Sequence, residues 1–372
     1  NVTERIVSVP LPMHKTQGLK IKRYPASTNR SLQAWSAADE HILLQLKDFD
    51  TTKSNVITYG DSFGYLTAQV DAKNHYVVVD SASQQGAISK NIAENKVKWS
   101  YSFLTPLAKP ALKPTIGLMK IPKSLDLFEL FLDHFTQHAS VKGQMICSFM
   151  TRHFSKQMVE ISERYFDDVS QSKAIKKSRL LILKTPKKRQ KRDVISTYSH
   201  ENDTIRQYFG VFSSNSLDHA SQLLIQNLPE LKNEMSVLDL GCGNGIIGKV
   251  VLQKSPKSTV HFVDDSYLAL ESAKLNVEGD NALFHHLHTL DSFAPDSFDV
   301  VLTNPPFHIE HEIDISLPIR LFKESHRILK PGGELRVVAN HHLNYKTHLD
   351  KVFNSVEVVA ENEKYIVYSC VK

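Results

Sequence analysis

The chain has 372 residues, of which 41% are hydrophobic and 23% charged, a composition typical of a globular protein with room for two domains. No apolar run approaches about 18 residues, so the sequence predicts no membrane span, and the N-terminus lacks the pattern of a signal peptide. The three cysteines, Cys147, Cys242 and Cys370, are odd in number and widely spaced, which excludes a disulfide framework and a cysteine zinc site. We therefore expect a protein of the reducing cytoplasm.

The net charge of +5 is distributed unevenly along the chain. Residues 1–192 carry 30 Lys and Arg against 16 Asp and Glu, a balance of +14, whereas residues 193–372 carry 15 against 24, a balance of −9. Such an asymmetry predicts that the first half contacts a polyanion. The alternative is a dipolar protein whose basic face is merely solvated.

The first half contains a degraded copy of the second. Residues 56–64 match residues 237–245 at an offset of 181, and residues 116–123 match residues 300–307 at an offset of 184. Residues 75–80 match the segment that ends at Asp264 at an offset of about 184. A repeat of this length predicts two tandem domains of one α/β fold.

The N-terminal copy differs from the second half at three matched positions that would carry its chemistry. Thr58 replaces Asp239, Ser62 replaces Gly243, and Lys120 replaces Asn304. Serine restricts a backbone that must approach a ligand closely, and lysine has no acceptor lone pair. We therefore expect an N-terminal domain that binds no cofactor and serves as a platform for the substrate.

A run of basic residues without an acid, residues 173–192, ends the first half. It could be a solvated linker, but together with the balance of +14 it favours contact with phosphates. We place the domain boundary after residue 190, which gives domains 1–190 and 191–372. The predicted RNA-contacting residues are Lys173, Lys176, Lys177, Arg179, Lys187, Lys188 and Arg189.

In the second half, the apolar strand of residues 237–240 runs into three alternate glycines, a turn that binds cofactors in α/β folds but is not specific for one of them. Asp239, at the end of that strand, can accept a hydrogen bond from an amino group. An acid at the end of the second strand can bind the two hydroxyls of a ribose, and Asp264 is a better candidate than Asp265.

About sixty residues later, a short apolar strand is followed by Asn304, Pro305, Pro306 and Phe307. Ligands bind at the carboxyl ends of the strands in an open α/β sheet. Asparagine offers an acceptor and a donor, and phenylalanine offers an aromatic face. This combination suits a flat ring that carries an amino group.

The glycine turn and the Asn-Pro-Pro-Phe loop together resemble the S-adenosylmethionine-dependent methyltransferases that modify exocyclic amines of nucleic-acid bases. The stretch of residues 210–218, with Phe212 and Asp218, resembles a segment of the bacterial rRNA guanine-N2 methyltransferases that lies over the cofactor. The resemblance implies that S-adenosylmethionine binds at the turn and that His288 or Thr289, after the third strand, lies near its adenine. The turn residues concerned are Gly241, Cys242, Gly243, Asn244 and Gly245.

That family pairs a degenerate N-terminal methyltransferase-like domain with a catalytic one, so the resemblance implies two tandem Rossmann-like (class I methyltransferase) domains. It implies that the Asn304 side chain and the Pro305 carbonyl accept the hydrogens of a guanine N2 while Phe307 stacks on the base. Residues 32–40 and 371–372 resemble the 23S rRNA G type, whose target is guanine-1835, more than the 16S C type. Methylation of 16S rRNA, of adenine N6 or of a protein glutamine, and a catalytically inactive RNA-binding protein, are the alternatives.

Three histidines, His285, His286 and His288, lie within four residues, but no further ligand is evident and we predict no metal site. We also expect a monomer that does not bind membranes.

Overall fold

The computed structural model describes residues 18–26, 32–188, 193–212, 216–305, 308–309, 312–313 and 316–372. It has the predicted α/β fold, with two seven-stranded sheets. The boundary predicted after residue 190 lies outside the described residues. Within those ranges, no helix has the length and apolar character needed to cross a bilayer.

The N-terminal sheet has the strand order β3-β2-β1-β4-β5-β7-β6, in which six strands run in one direction and β7 runs in the opposite direction. Its elements are α1 (Ala37–Leu46), β1 (Asn55–Tyr59), β2 (Asn74–Val78), α2 (Ala82–Glu94), β3 (Ser102–Leu104), β4 (Ile116–Lys120), α3 (Leu125–His138), β5 (Gln144–Met150), α4 (Lys156–Tyr165), β6 (Phe166–Gln171) and β7 (Ser178–Pro186). The central strands are almost entirely buried because helices cover both faces of the sheet.

The C-terminal sheet has the equivalent order, β12-β11-β10-β13-β16-β18-β17. A hairpin, β8 (Ile195–His200) and β9 (Asp203–Tyr208), precedes it. The remaining elements are α5 (His219–Gln226), β10 (Ser236–Leu240), α6 (Ile246–Lys254), β11 (Thr259–Asp264), α7 (Tyr267–Asn276), β12 (Ala282–His286), β13 (Phe298–Thr303), β14 (His308–Ile309), β15 (Glu312–Ile313), α8 (Ser316–Ile328), β16 (Leu329–Asn340), α9 (Lys346–Leu349), β17 (Ser355–Glu361) and β18 (Tyr365–Val371).

Strand registers relate the two copies residue by residue. Val56 pairs with Ile116, and Val237 pairs with Val300, in agreement with the offsets of 181 and 184. The second strands require a correction, because Thr58 pairs with Val77 whereas Asp239 pairs with Phe262, an offset of 185. At that offset the counterpart of Asp264 is Val79, and Asp80 corresponds to Asp265. The N-terminal copy has therefore also lost the acid at the end of its second strand.

An equivalent helix asparagine holds the same network in both domains. Its amide donates to the carbonyl of the glycine-rich turn and bonds to both the N–H and the C=O of one residue in a strand-like segment beside the helix. The residues are Asn91 with Lys22 and Phe63 in the first domain, and Asn276 with Arg206 and Asn244 in the second. The repeat therefore extends to the segment of residues 18–26 and to the hairpin.

The domains are joined by an exchange of carboxylates between helix N-termini. Asp80, in the first domain, accepts from the Leu268 N–H at 2.8 Å and the Ser266 hydroxyl at 2.6 Å, at the start of α7. Asp265 accepts from the Ser83 N–H at 2.7 Å, at the start of α2. Carboxylates are favoured at helix N-termini, where free N–H groups and the helix dipole attract them. Each domain thus caps a helix of the other.

Replacing either carboxylate should weaken the contact between the two domains. Asp80→Ala and Asp265→Ala should each lower the free energy of unfolding by about 1–3 kcal/mol, because each leaves part-buried N–H or hydroxyl donors without an acceptor. The double variant should lose less than the sum, since the two bonds belong to one interface. Chemical denaturation of the full chain measures this, with the exposed Asp71→Ala as the control. Losses that add fully would contradict a shared interface.

Candidate active site

The carboxyl ends of the strands of both sheets open into one cleft of about 1620 Å³. On the C-terminal side the cleft is lined by the loops after β10, β11 and β13. These loops carry the residues that the sequence singled out, because ligands bind where parallel strands end.

The glycine turn after β10 has a backbone that only glycine adopts without strain. Gly241, Gly243 and Gly245 have φ angles of 72°, 55° and 80°. A Cβ added at Gly241 or Gly243 would meet nothing within 4 Å, whereas one at Gly245 would lie 2.9 Å from Ala273. The first two glycines thus leave an open cradle facing the cleft, and the third allows α6 to pack closely.

Asn244 holds the turn in place through hydrogen bonds to the hairpin. Its amide donates to the Tyr198 hydroxyl at 2.9 Å and to Gln207 Oε1 at 2.7 Å, and Gln207 in turn donates to the carbonyl groups of Val211 and Phe212. Gln207 is fully buried. The hairpin therefore ties the cofactor turn to the loop that carries Phe212. Sequence reasoning missed Tyr198 and Gln207, since their segment is polar and shows no clear periodicity.

Asp239 is fully buried below the turn. Its Oδ2 accepts from the Gly248 N–H at 2.8 Å, and its Oδ1 has no hydrogen-bond partner among the described residues. Burial raises the pKa of this carboxyl from 3.8 to about 7. An unsatisfied acceptor in this position suits a cationic ligand, which would restore the charged form.

The acid at the end of β11 is held by two backbone donors. Asp264 accepts from the Gly243 N–H at 2.9 Å and from the Ser266 N–H at 2.8 Å, while burial raises its pKa from 3.8 to about 6. Asp265 also lines the cleft, but its carboxylate is engaged by Ser83 of the other domain. Asp264 is thus directed to the cofactor turn and Asp265 to the domain contact.

Asn304 lies at the end of β13 with its amide orientation fixed. Its Nδ2 donates to Asp218 Oδ2 at 2.9 Å and to the Ser221 hydroxyl at 3.0 Å. A carboxylate only accepts, so Nδ2 must face it and the amide oxygen is left for the cleft. Asp218 also caps α5 by accepting from the Ser221 N–H. Its side chain thus acts on Asn304, and Ser221 is a residue that the sequence did not reveal.

The other predicted residues surround this centre. Pro305 is buried and lines the cleft, His288 lines it with an exposed side chain, and the Cys242 side chain is buried. Phe212 is 74% exposed at the mouth of the cleft, a large aromatic side chain without protein cover. Phe307 lies outside the described residues.

The basic run is divided between the two ends of strand β7, which lie about 30 Å apart at opposite edges of the N-terminal sheet, where its strands begin and end. Lys173, Lys177 and Arg179 are exposed at the edge where the parallel strands end, and Lys176 forms an ion pair with Glu40. At the opposite edge Lys188 is exposed and Lys187 donates to the Glu163 carbonyl. Arg189 lies outside the described residues.

The histidines near β12 bond to the protein itself. His286 contacts the carbonyl oxygens of Asp80 and Asp265, and His285 stacks on His261. Within the described part of the chain, no group of three or more His, Cys, Asp or Glu residues could hold a metal ion.

S-adenosylmethionine, the cofactor implied by the sequence, fits this site on two observations. The open cradle at Gly241 and Gly243 gives the backbone access to a ligand, and the unpartnered Oδ1 of Asp239 offers a buried acceptor to a cation. Asp264, anchored beside the turn by the Gly243 N–H, also lines the cleft.

Two protein-family models match the chain. Residues 11–188 match the RLMG N-terminal domain, and residues 202–369 match the methyltransferase small domain. The chain is 32% identical to the ribosomal RNA large subunit methyltransferase G of Pseudoalteromonas translucida, over 95% of both chains. It is also 32% identical to the protein of that name from Psychromonas ingrahamii, over 96% of this chain and 97% of the relative.

Among solved structures, a T. thermophilus 16S rRNA N2 methyltransferase in complex with AdoMet and guanosine has the same fold. Its TM-score is 0.74 at 17% sequence identity, and the match covers 91% of this chain and 92% of that one.

The raised pKa of Asp239 predicts how cofactor binding depends on pH. A cationic ligand binds the charged carboxylate. At a pH below the Asp239 pKa of about 7, binding therefore requires that this carboxyl release a proton. The affinity for S-adenosylhomocysteine, which carries an ammonium group, should therefore fall roughly tenfold as pH drops from 7.5 to 6. Calorimetry measures it.

The variant Asp239→Asn should bind more weakly and lose most of this pH dependence, while the exposed control Asp280→Asn should retain it. An unchanged pH profile in Asp239→Asn would assign the titration to another group.

Proposed function

The chain belongs to the family of the ribosomal RNA large subunit methyltransferases G, and we propose that it methylates the exocyclic N2 of a guanine in 23S rRNA, with S-adenosylmethionine as the methyl donor. The observation that carries this proposal is the fixed amide of Asn304, whose oxygen is left to accept a hydrogen from an amine in the cleft. As an rRNA-modifying enzyme it acts in the cytoplasm, as a monomer.

An exocyclic amine on an aromatic ring is a poor nucleophile, because its lone pair is delocalised into the ring. The Asn304 amide oxygen and the Pro305 carbonyl accept its two hydrogens, and the nitrogen becomes more pyramidal with its lone pair directed at the donor. No strong base is needed, because the proton can leave to solvent after transfer. Most of the rate enhancement then comes from positioning.

Asp218 and Ser221 do part of that positioning. If the amide of Asn304 rotated by half a turn, its NH2 would face the amine and its oxygen would face a carboxylate. The Asp218 carboxylate, which can only accept, excludes this orientation, and the Ser221 hydroxyl accepts the second hydrogen of the amide. Neither residue needs to contact the substrate, so we assign them to the orientation of Asn304 and not to the chemical step.

The cofactor, when bound, supplies an electrophilic methyl group on a sulfonium. The chain holds it with the cradle at Gly241 and Gly243, with the acceptor of Asp239 for its ammonium, and with Asp264 for its ribose. The Gly243 N–H donates to Asp264, so the turn and the acid position each other. His288, exposed at the next loop, is our candidate for the adenine edge.

The target base needs an aromatic partner. Phe307 is the partner predicted from the sequence. Phe212 has an exposed ring at the mouth of the cleft on a backbone held by Gln207, and stacking on a base would bury that ring. We propose that Phe212 closes over the cleft on substrate binding, in agreement with aromatic recognition of unstacked bases.

The function is tested by incubating the protein with tritiated S-adenosylmethionine and separated, unmodified 23S and 16S rRNA. We expect N2-methylguanosine in 23S rRNA alone. The same nucleoside in 16S rRNA alone would overturn the choice of subunit and retain the chemistry. N6-methyladenosine, or label only in protein glutamine, would overturn the choice of base.

The role of the Asn304 amide is tested by two variants. Asn304→Ala should lower kcat by at least about a hundredfold with cofactor affinity nearly unchanged, since it removes an acceptor that positions the nucleophile. Ser221→Ala should lower kcat by a smaller factor, because Asp218 still holds Nδ2, and Ser221→Thr should restore it. Single-turnover kinetics and cofactor titration measure both quantities. A large loss of cofactor affinity in Asn304→Ala would exclude the catalytic role.

A further inference from the structure

The cleft continues from the catalytic residues into the N-terminal domain as a groove along α2. One wall consists of helix residues that share a face, and the other consists of two aromatic residues. The wall residues are Ser83, Gln84, Gly86, Ala87 and Lys90 on α2, and Tyr24 and Phe63 opposite. From Ser83 to Lys90 the groove extends about 10 Å along the helix.

The cofactor and one base do not account for this space. Ligand sites typically measure about 300–1,000 Å³, and the whole cleft measures about 1620 Å³. The N-terminal half also lacks the groups that would bind a second cofactor, because Ser62 replaces the middle glycine and Val79 replaces the ribose-binding acid. The groove is therefore available to another ligand.

Its chemistry indicates which ligand. Lys90 is exposed and forms no direct ion pair with any described residue, although it contributes, after Lys22 and Tyr24, to the lowered pKa of Glu94 one turn along the helix. Its Nζ lies 5.0 Å from the centre of the Tyr24 ring, whose hydroxyl donates to Glu94 at 2.9 Å. Glu94 is itself neutralised by Lys22 at 2.7 Å. An unpaired cation beside a fixed, half-exposed aromatic ring offers contacts to both a phosphate and a base.

The α2 wall has a gap between its side chains at Gly86, which forms the open floor of the groove. Gly86 faces the groove from the middle of α2, and a Cβ built there would meet nothing within 4 Å. Glycine destabilises a helix interior by about 1 kcal/mol relative to alanine. The absence of a side chain at this position therefore keeps the groove open at a cost to the helix.

We propose that the groove along α2 binds a single-stranded nucleotide that flanks the target base, with its phosphate at Lys90 and its base against Tyr24. This inference rests on the proposed function, because it assigns the ligand to the same RNA. The continuity of the groove with the cleft at Asn304, and the balance of +14 in the first half of the chain, both favour a polyanion. A free mononucleotide of the same chemistry is the alternative source.

The charge at Lys90 is tested by the salt dependence of binding to unmodified 23S rRNA. Lys90→Ala should make the negative slope of log K against log salt shallower by about one. It should also raise KM for RNA about three- to tenfold, with kcat and cofactor affinity unchanged. Lys90→Arg should restore both values. The matched control is Lys113→Ala, an exposed lysine in the loop before β4 at the opposite edge of the same sheet.

The open floor is tested by filling it. Gly86→Leu should weaken RNA binding at least about fivefold while leaving the melting temperature equal or higher, since leucine favours a helix. Gln85→Leu, its exposed neighbour outside the cleft, should leave binding unchanged. Tyr24→Leu should weaken binding, and Tyr24→Phe, which keeps the ring, should not.

The proposal is overturned if Lys90→Ala and Gly86→Leu behave like their controls. It is also overturned if adenosine monophosphate at millimolar concentration binds wild type and not Gly86→Leu while RNA binds both equally, because the groove would then be a mononucleotide site. Failure of the proposed function is a separate result, in which wild type transfers no methyl group to rRNA although the salt slopes still report RNA contact.

Discussion

The contact between the two domains is centred on an exchange of carboxylates, in which Asp80 and Asp265 each cap a helix that belongs to the other domain. The exchange has a direct effect on the site, because the helix that Asp80 caps follows the turn that carries Asp264. Burial raises the pKa of Asp80, so the protein keeps this carboxylate out of water at some cost. The degenerate domain is therefore part of the structure that holds Asp264, the acid that we propose binds the ribose, in addition to any contact it makes with RNA.

Much of the fold and part of the site could be predicted from sequence. The glycine turn and the stretch that ends at Asn304 are local patterns, and local patterns carry their own geometry, such as positive φ at Gly241. The duplication was evident because such patterns occur twice in the chain. The second strand was misaligned by one residue, because an acid at Asp80 resembles Asp264 in type and only strand pairing shows that Val79 occupies its place. A register error of one residue moves a side chain to the opposite face.

The partners of the site residues could not be predicted. The partner of Asn304 is Ser221, and the partners of Asn244 are Gln207 and Tyr198. These partners lie tens of residues away in the chain and contact the site residues only after folding. Likewise, the basic run is continuous in sequence, but β7 distributes it over two edges of a sheet. Spacing along a chain indicates proximity only within one element.

The contact between the domains has two-fold symmetry. The Ala82 N–H donates to the Asp265 carbonyl, the Tyr267 N–H donates to the Asp80 carbonyl, and Ser81 forms an antiparallel bridge with its own counterpart, Ser266. This is the pattern of an isologous dimer interface, here formed within one chain. In a dimer of identical subunits each substitution occurs twice, so neither active site can be lost alone. Fusion removes that restriction, and one half can give up its chemistry while it keeps the surface that supports the other.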